Sequence, residues 1–289
     1  MFDGYSDETA ALAGTTVRYR VGGDGPPVLL LHGFPQTGAC WHLVAPVLAR
    51  TRTVVVPDLR GYGGSSPAYD DSVAAYSKRA LAGDQVELME RLGYARFAVV
   101  GHDRGGRVGY RLALDHPERV EKLVTLDIVP TADMWAAATK VPEEKLQAWH
   151  WNLLARPEPE PEELISGDYL YPGGSPSLSS HPIALAPEAL AEYLAALENP
   201  TVRHAMSQDY RAGATIDRAL DEQDLASGRT IACPLLALWG SSGGLPEWFD
   251  PLEIWRRWSP TVQGGALDCG HFVPEEAPEA LLERLDKFL

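Results

Sequence analysis

The stretch VVGHDRGGRVGYRLA, residues 99–113, constrains the fold more than any other part of this 289-residue chain. A run of apolar, β-branched residues ends at Gly101, and a helical pattern begins at Arg104. Between them, GHDRGG fits the GxDxG form of the nucleophile elbow, a sharp strand-to-helix turn that exposes one side chain at the carboxyl edge of a sheet. Gly101 and Gly105 suit a place where strand and helix pass too closely for a Cβ. The flanking sequence keeps the same rhythm. TTVRYRV, PPVLLLHG, TVVVPDLRG, RFAVVGHD, VEKLVTLDI and CPLLALWG read as strands, while CWHLVAPVLAR, residues 72–92, the run from Arg104 and PEALLERLDKFL read as helices. Alternation of this kind predicts an α/β fold with a mostly parallel central sheet covered on both faces.

From Pro130 to about Thr230 the rhythm changes to Ala, Glu, Pro and aromatic residues without a convincing strand. The expected organisation is a core of residues 1–129 and 231–289, with an inserted helical cap at 130–230. Within the cap, RPEPEPEEL reads as a proline-acid loop and APEALAEYLAALENP as a helix. With 45% hydrophobic residues, the chain can bury one large core. A formal net charge of −15 argues against binding a phosphate backbone, so no nucleic-acid partner is expected. No apolar run approaches a membrane span and MFDGYSDETA lacks a secretory apolar region, so a cytoplasmic protein without a membrane partner is expected. Cys40, Cys233 and Cys269 are too few and too widely spaced for a disulfide framework or a zinc site. They read as buried or unreactive thiols, and no metal is expected.

The nucleophile type narrows the chemistry. A serine attacking a saturated carbon would leave an ether that water cannot release, whereas Asp103 would form an alkyl ester that water can cleave at the carboxyl carbon. Displacement at an sp3 carbon follows, either of halide or by opening an epoxide. HGFPQT, residues 32–37, follows a strand, and the N–H groups of Phe34 and Arg104 can form an oxyanion hole. His271, in CGHFVPEEAP after a last strand, stands where a base is expected. Its acid partner is Asp127 at the end of LVTLD, with Asp250 as the fallback. Arg104 and Arg107 share a face in the first turn of the helix after Asp103, where like charges are unfavourable unless an anion joins them. Either both hold a substrate carboxylate in their planar forks, or one, Arg107 by expectation, pairs with an acidic neighbour.

GHDRGGRVGYRLALDHPERV, LDIVPT, AWHWNLLARP, QDYRAGA and CGHFVPEEAP together resemble the haloacetate dehalogenases of the α/β-hydrolase fold, the fluoroacetate dehalogenases in particular. The likeness covers nearly the whole chain. It implies Asp103 as nucleophile, His271 as base, Asp127 as its acid, and Arg104 with Arg107 as the carboxylate clamp. It further implies a halide pocket made by His150, Trp151 and Tyr210, and a homodimer. Fluoride is strongly hydrated, so an imidazole N–H, an indole N–H and a phenol O–H are reasonable replacements for its water. Relatives that process neutral haloalkanes typically have tryptophan directly after the nucleophile, and Arg104 in that place favours a haloacid.

The expected activity is hydrolysis of haloacetates, fluoroacetate to glycolate and fluoride foremost, with a small haloacid as the binding partner and no cofactor. An epoxide hydrolase of the same fold is the alternative, although it usually uses two cap tyrosines and only Tyr210 is placed by motif. A noncatalytic binder of small acids could dispense with nucleophile, base or acid, and this chain retains all three.

Overall fold

The computed structural model describes residues 1–138, 149–177 and 183–289; positions 139–148 and 178–182, in the expected cap, lie outside the described residues. Eight strands form one sheet: β1 (Ser6–Ala11), β2 (Thr16–Gly22), β3 (Pro27–Leu31), β4 (Thr53–Pro57), β5 (Phe97–His102), β6 (Val120–Leu126), β7 (Leu235–Gly240) and β8 (Val262–Leu267). They lie in the order β1-β2-β4-β3-β5-β6-β7-β8. From β4 to β8 every pairing is parallel, while β2 runs antiparallel to both β1 and β4.

The central strands are continuous apolar runs because each is covered on both faces. TVVVP and FAVVGH are buried at every position. A parallel sheet of this kind gathers the carboxyl ends of β3, β5, β6, β7 and β8 on one edge, and the loops that follow them build the site. β1 was not marked by the sequence pattern: SDETAA is almost wholly exposed and buries no apolar face that could betray a strand.

Two expected helices and one expected loop differ in detail. CWHLVAPVLAR forms two short pieces, Gly38–Trp41 and Ala45–Leu48, with Pro46 opening the second. Residues 72–92 divide at Ser77, whose side chain accepts the Ala80 N–H and caps a new helix, Lys78–Arg91. RPEPEPEEL is not wholly a loop. Glu160–Leu164 is helical, with Pro161 in its first turn and three glutamates placed where the helix dipole favours them.

Between β6 and β7 the described chain is helix and loop, including Pro187–Glu198, Pro200–Ala212 and Arg218–Ser227. The buried apolar residues of this segment, Trp151, Tyr193 and Tyr210 among them, continue the core of the sheet domain. Among the described residues, no helix is long and apolar enough to cross a membrane. Cys40, Cys233 and Cys269 are free thiols, and burial raises the pKa of each.

The elbow depends on Gly105. A Cβ there would lie 2.4 Å from the Leu31 carbonyl oxygen and 2.5 Å from that of His32, and neither backbone can withdraw. Gly105→Ala should therefore destabilise the protein by about 3 kcal/mol, the upper end of overpacking. Gly83, inside the helix Lys78–Arg91, has nothing within 4 Å of a built Cβ, so Gly83→Ala should add about 0.5–1 kcal/mol. Urea midpoints of the two variants moving in the same direction would contradict this packing.

Candidate active site

Asp103 stands between β5 and the helix Arg104–Asp115 with φ 45° and ψ −115°, an unusual conformation for a residue with a side chain. Backbone bonds enforce it: its N–H donates to Leu126 O at 3.2 Å, and its carbonyl accepts the Arg107 N–H at 3.1 Å. The loop after β3 presses against it, since a Cβ on Gly33 would lie 2.5 Å from Asp103 Cβ. That approach brings the Phe34 N–H to Asp103 Oδ1 at 2.9 Å. Burial opposes the carboxylate's charge, but His271, Arg104, His102 and Arg107 outweigh burial and hold its pKa below the usual range. The carboxylate is ionised at neutral pH.

Asp127 follows β6 and also adopts a positive φ, 53°. Its Oδ1 accepts the Gly240 N–H at 2.9 Å, and its Oδ2 lies 2.6 Å from His271 Nδ1. A carboxylate at that distance makes Nδ1 the donor and leaves Nε2 free to act as base. Burial lowers the pKa of His271, but the bond to Asp127 and the charges of Asp127 and Asp103 raise it more, and the net direction is upward. Asp250, the other expected acid, is far from this role. It is exposed and caps the helix Pro251–Trp258 by accepting the Glu253 N–H at 3.0 Å.

The two arginines, expected to hold a substrate carboxylate together, part company; the alternative gave Arg107 an acidic neighbour, and it is Arg104 that has one. Arg104 is completely buried, and its Nε donates to Asp209 Oδ2 at 2.7 Å while Nη2 donates to the Asp209 carbonyl at 2.8 Å. Its Nη1 is buried with no hydrogen-bond partner among the described residues. Arg107 lines the cavity in front of Asp103, and its Nη1 donates only to neutral oxygens, Val129 O at 2.9 Å and Thr131 Oγ1 at 3.3 Å.

That cavity has a volume of about 110 Å³. Asp103, Asp127, His271, Arg107 and Phe34 line it, and so do the three expected halide ligands His150, Trp151 and Tyr210. Their rings pack edge to face, with centroids 5.9 Å apart for His150 and Tyr210 and 5.7 Å for Trp151 and Tyr210. Burial lowers the His150 pKa to about 3 and raises that of the Tyr210 phenol, so both are neutral. The site thus combines an ionised carboxylate, an oriented imidazole, one cationic wall and a neutral aromatic wall.

Sequence reasoning missed several members. Met134, Leu245 and Trp248 complete the cavity wall, and no periodic pattern pointed to them. His102 Nε2 donates to the His271 carbonyl at 2.7 Å and so supports the loop carrying the base. Asp209 stands directly before Tyr210; asking which anion neutralises Arg104 would have been the route to it.

The chain matches the alpha/beta hydrolase fold family over residues 26–278. It is 41% identical to a fluoroacetate dehalogenase of Burkholderia sp, over 100% of this chain and 95% of that one. It is also 33% identical to a soluble epoxide hydrolase of Corynebacterium sp. (strain C12), over 96% of this chain and 95% of that one. Among solved structures, a Pseudomonas aeruginosa protein assigned provisionally as an epoxide hydrolase shares 44% identity and a TM-score of 0.90, covering 100% of this chain and 96% of its own. A family match across most of the sequence, joined to full-length identity with two hydrolases and to an elbow, imidazole and carboxylate gathered at one sheet edge, leads to one assignment: the chain is an enzyme that belongs to the α/β-hydrolase fold family.

Proposed function

We propose that this enzyme hydrolyses the carbon–halogen bond of small 2-haloacids, haloacetates first and fluoroacetate among them. The observation that carries the reading is Arg107. It is a buried guanidinium on the wall of the cavity, and among the described residues no carboxylate lies within ion-pair distance of it. Asp103 acts on it only from beyond ion-pair distance, so the buried guanidinium keeps a desolvation cost that an anion seated against it would lower. A neutral epoxide would leave that cost in place. Tyr210 is also the one tyrosine lining the cavity among the described residues, where an epoxide hydrolase usually presents two. The fluoroacetate dehalogenase relative supports the same substrate class.

In this reading residues 130–230 form the cap, and Arg107, the arginine that lines the cavity, binds the substrate carboxylate. One Asp103 oxygen attacks the α-carbon; the C–O bond forms as the carbon–halogen bond breaks, and the halide leaves with the bonding pair toward His150, Trp151 and Tyr210. His271 Nε2 then takes a proton from water, and the oxygen adds to the Asp103 carboxyl carbon. The developing oxyanion accepts N–H bonds from Phe34 and Arg104, and collapse returns Asp103 and releases a 2-hydroxyacid. The existing 2.9 Å bond from Phe34 to Asp103 Oδ1 supports that placement of the oxyanion hole. No metal or organic cofactor enters the cycle.

Purified protein should release halide and glycolate from chloroacetate and fluoroacetate, and Asp103→Asn should abolish turnover; hydrolysis of an epoxide to its diol with no halide released from either acid would replace the reading. Arg107→Met should raise KM for chloroacetate roughly tenfold to hundredfold, the worth of a charge-assisted contact, and unchanged kinetics would remove Arg107 from binding. His271→Ala should trap an ester on Asp103, visible by intact mass. The base works only when neutral, so ester hydrolysis should rise with pH through the pKa of His271, above its ordinary 6.5. Asp127→Asn removes the chief cause of that elevation and should move the midpoint down; a midpoint that stays put would separate Asp127 from the base.

A further inference from the structure

We propose that Asp209 is a positioning residue of this site: it keeps the Arg104 guanidinium off the nucleophile and seats the adjoining Tyr210 beside it. The inference rests on the reading of Asp103 as nucleophile. Asp209 lies near the end of the helix Pro200–Ala212 and is buried. Its Oδ2 accepts both Arg104 Nε at 2.7 Å and the Tyr62 hydroxyl at 2.9 Å, while its Oδ1 is ion-paired with Lys78. Lys78 in turn sits 3.5 Å from Asp217 Oδ2, and its backbone N–H donates to Asp217 Oδ1 at 2.8 Å.

Arg104, Lys78, Asp209 and Asp217 thus form a buried cluster that is balanced in charge without Asp103. What matters to the nucleophile is that Arg104 has a carboxylate of its own. Arg104 is adjacent to Asp103 in sequence and already acts on its charge. Remove the Asp209 carboxylate, and Asp103 becomes the anion available to that guanidinium. A bidentate arginine contact would occupy the lone pairs that must attack carbon.

The same grip orders Tyr210. Arg104 Cζ lies 4.1 Å from the Tyr210 ring centroid, and that ring meets Phe34 edge-on at 5.2 Å. The leaving-group wall is therefore referenced to the elbow through one carboxylate.

A cap clamp without catalytic consequence would use the same ion pairs, so the test separates the two. Lys78→Met cuts one tie between Asp209 and the core but leaves Arg104 held. Asp209→Asn/Lys78→Met releases Arg104 while removing one charge of each sign. The parent and both variants carry His271→Ala so that the ester persists; thermal melting establishes that each is folded, and single-turnover intact mass with saturating chloroacetate gives the rate of ester formation on Asp103. The expected result is a rate within about threefold of the parent for Lys78→Met and at least tenfold lower for the double variant, with the concentration giving half-maximal rate little changed in either.

Equal losses in both variants, or a double variant as fast as the parent, would overturn the proposal. A parent protein that is not alkylated by chloroacetate rejects the dehalogenase reading instead. The same rate ratios are then measured with styrene oxide, which the same carboxylate would open, and alkylation by neither compound overturns both ideas.

Discussion

An ionised carboxylate held out of water without a strong partner is the condition on which the rest of this molecule depends. Asp103 keeps its charge because several cations act on it from a distance, and its one close donor at the loop is the Phe34 N–H. Any direct pairing with Arg104 or Arg107 would stabilise the carboxylate and lower its nucleophilicity. The fold meets this condition by giving each arginine something else to do. Arg104 is satisfied by Asp209, and Arg107 is held by Val129 O and Thr131 Oγ1 so that it faces the cavity. The imidazole is separated in the same way: Asp127 engages Nδ1 and leaves Nε2 for chemistry.

Most of this framework was legible in the sequence, for a physical reason. Strands buried on both faces must be continuous apolar runs, so TVVVP and FAVVGH announce themselves, and the residues just beyond such strands are placed by the backbone alone. Asp103 and Asp127 are of that kind, whereas His271 lies further beyond β8, a strand that is mostly not buried, and was legible through CGHFVPEEAP instead. Side chains that act at a distance are not so placed. Arg104 finds its partner 105 residues further along the chain, and nothing local distinguishes it from Arg107, three residues on. For that reason the shared clamp expected of the two arginines could not anticipate that Arg104 is tied to Asp209. β1 failed differently, because an exposed edge strand carries no burial pattern. Leu245 and Trp248 reach the cavity from a single helical turn, Leu245–Trp248, after β7, too short for a period to show.

A protein with a net charge of −15 is an unexpected host for an anion, yet long-range repulsion is a weak objection. At ordinary ionic strength, surface charges are screened over about 10 Å, whereas Arg107 is buried and hardly screened. The acidic surface acts on the approach of a haloacid, and the interior acts on its binding. A site of this design favours a substrate small enough for most of its charge to lie against Arg107, which agrees with a cavity of about 110 Å³.

The remaining choice is the character of the leaving-group wall. A cation placed there would attract a departing halide, but in the resting enzyme it would also attract Asp103 and stabilise the ground state as much as the transition state, which accelerates nothing. Neutral donors avoid that. His150 is held neutral by burial, its pKa lowered to about 3, and Tyr210 stays protonated. On the proposed reading, their N–H and O–H dipoles, with the indole of Trp151, interact weakly with a carbon-bound halogen and strongly with a halide ion. The interaction therefore grows as the bond breaks, which is where it lowers the barrier. Fluoride, the halide that water holds most tightly, gains most from such an arrangement.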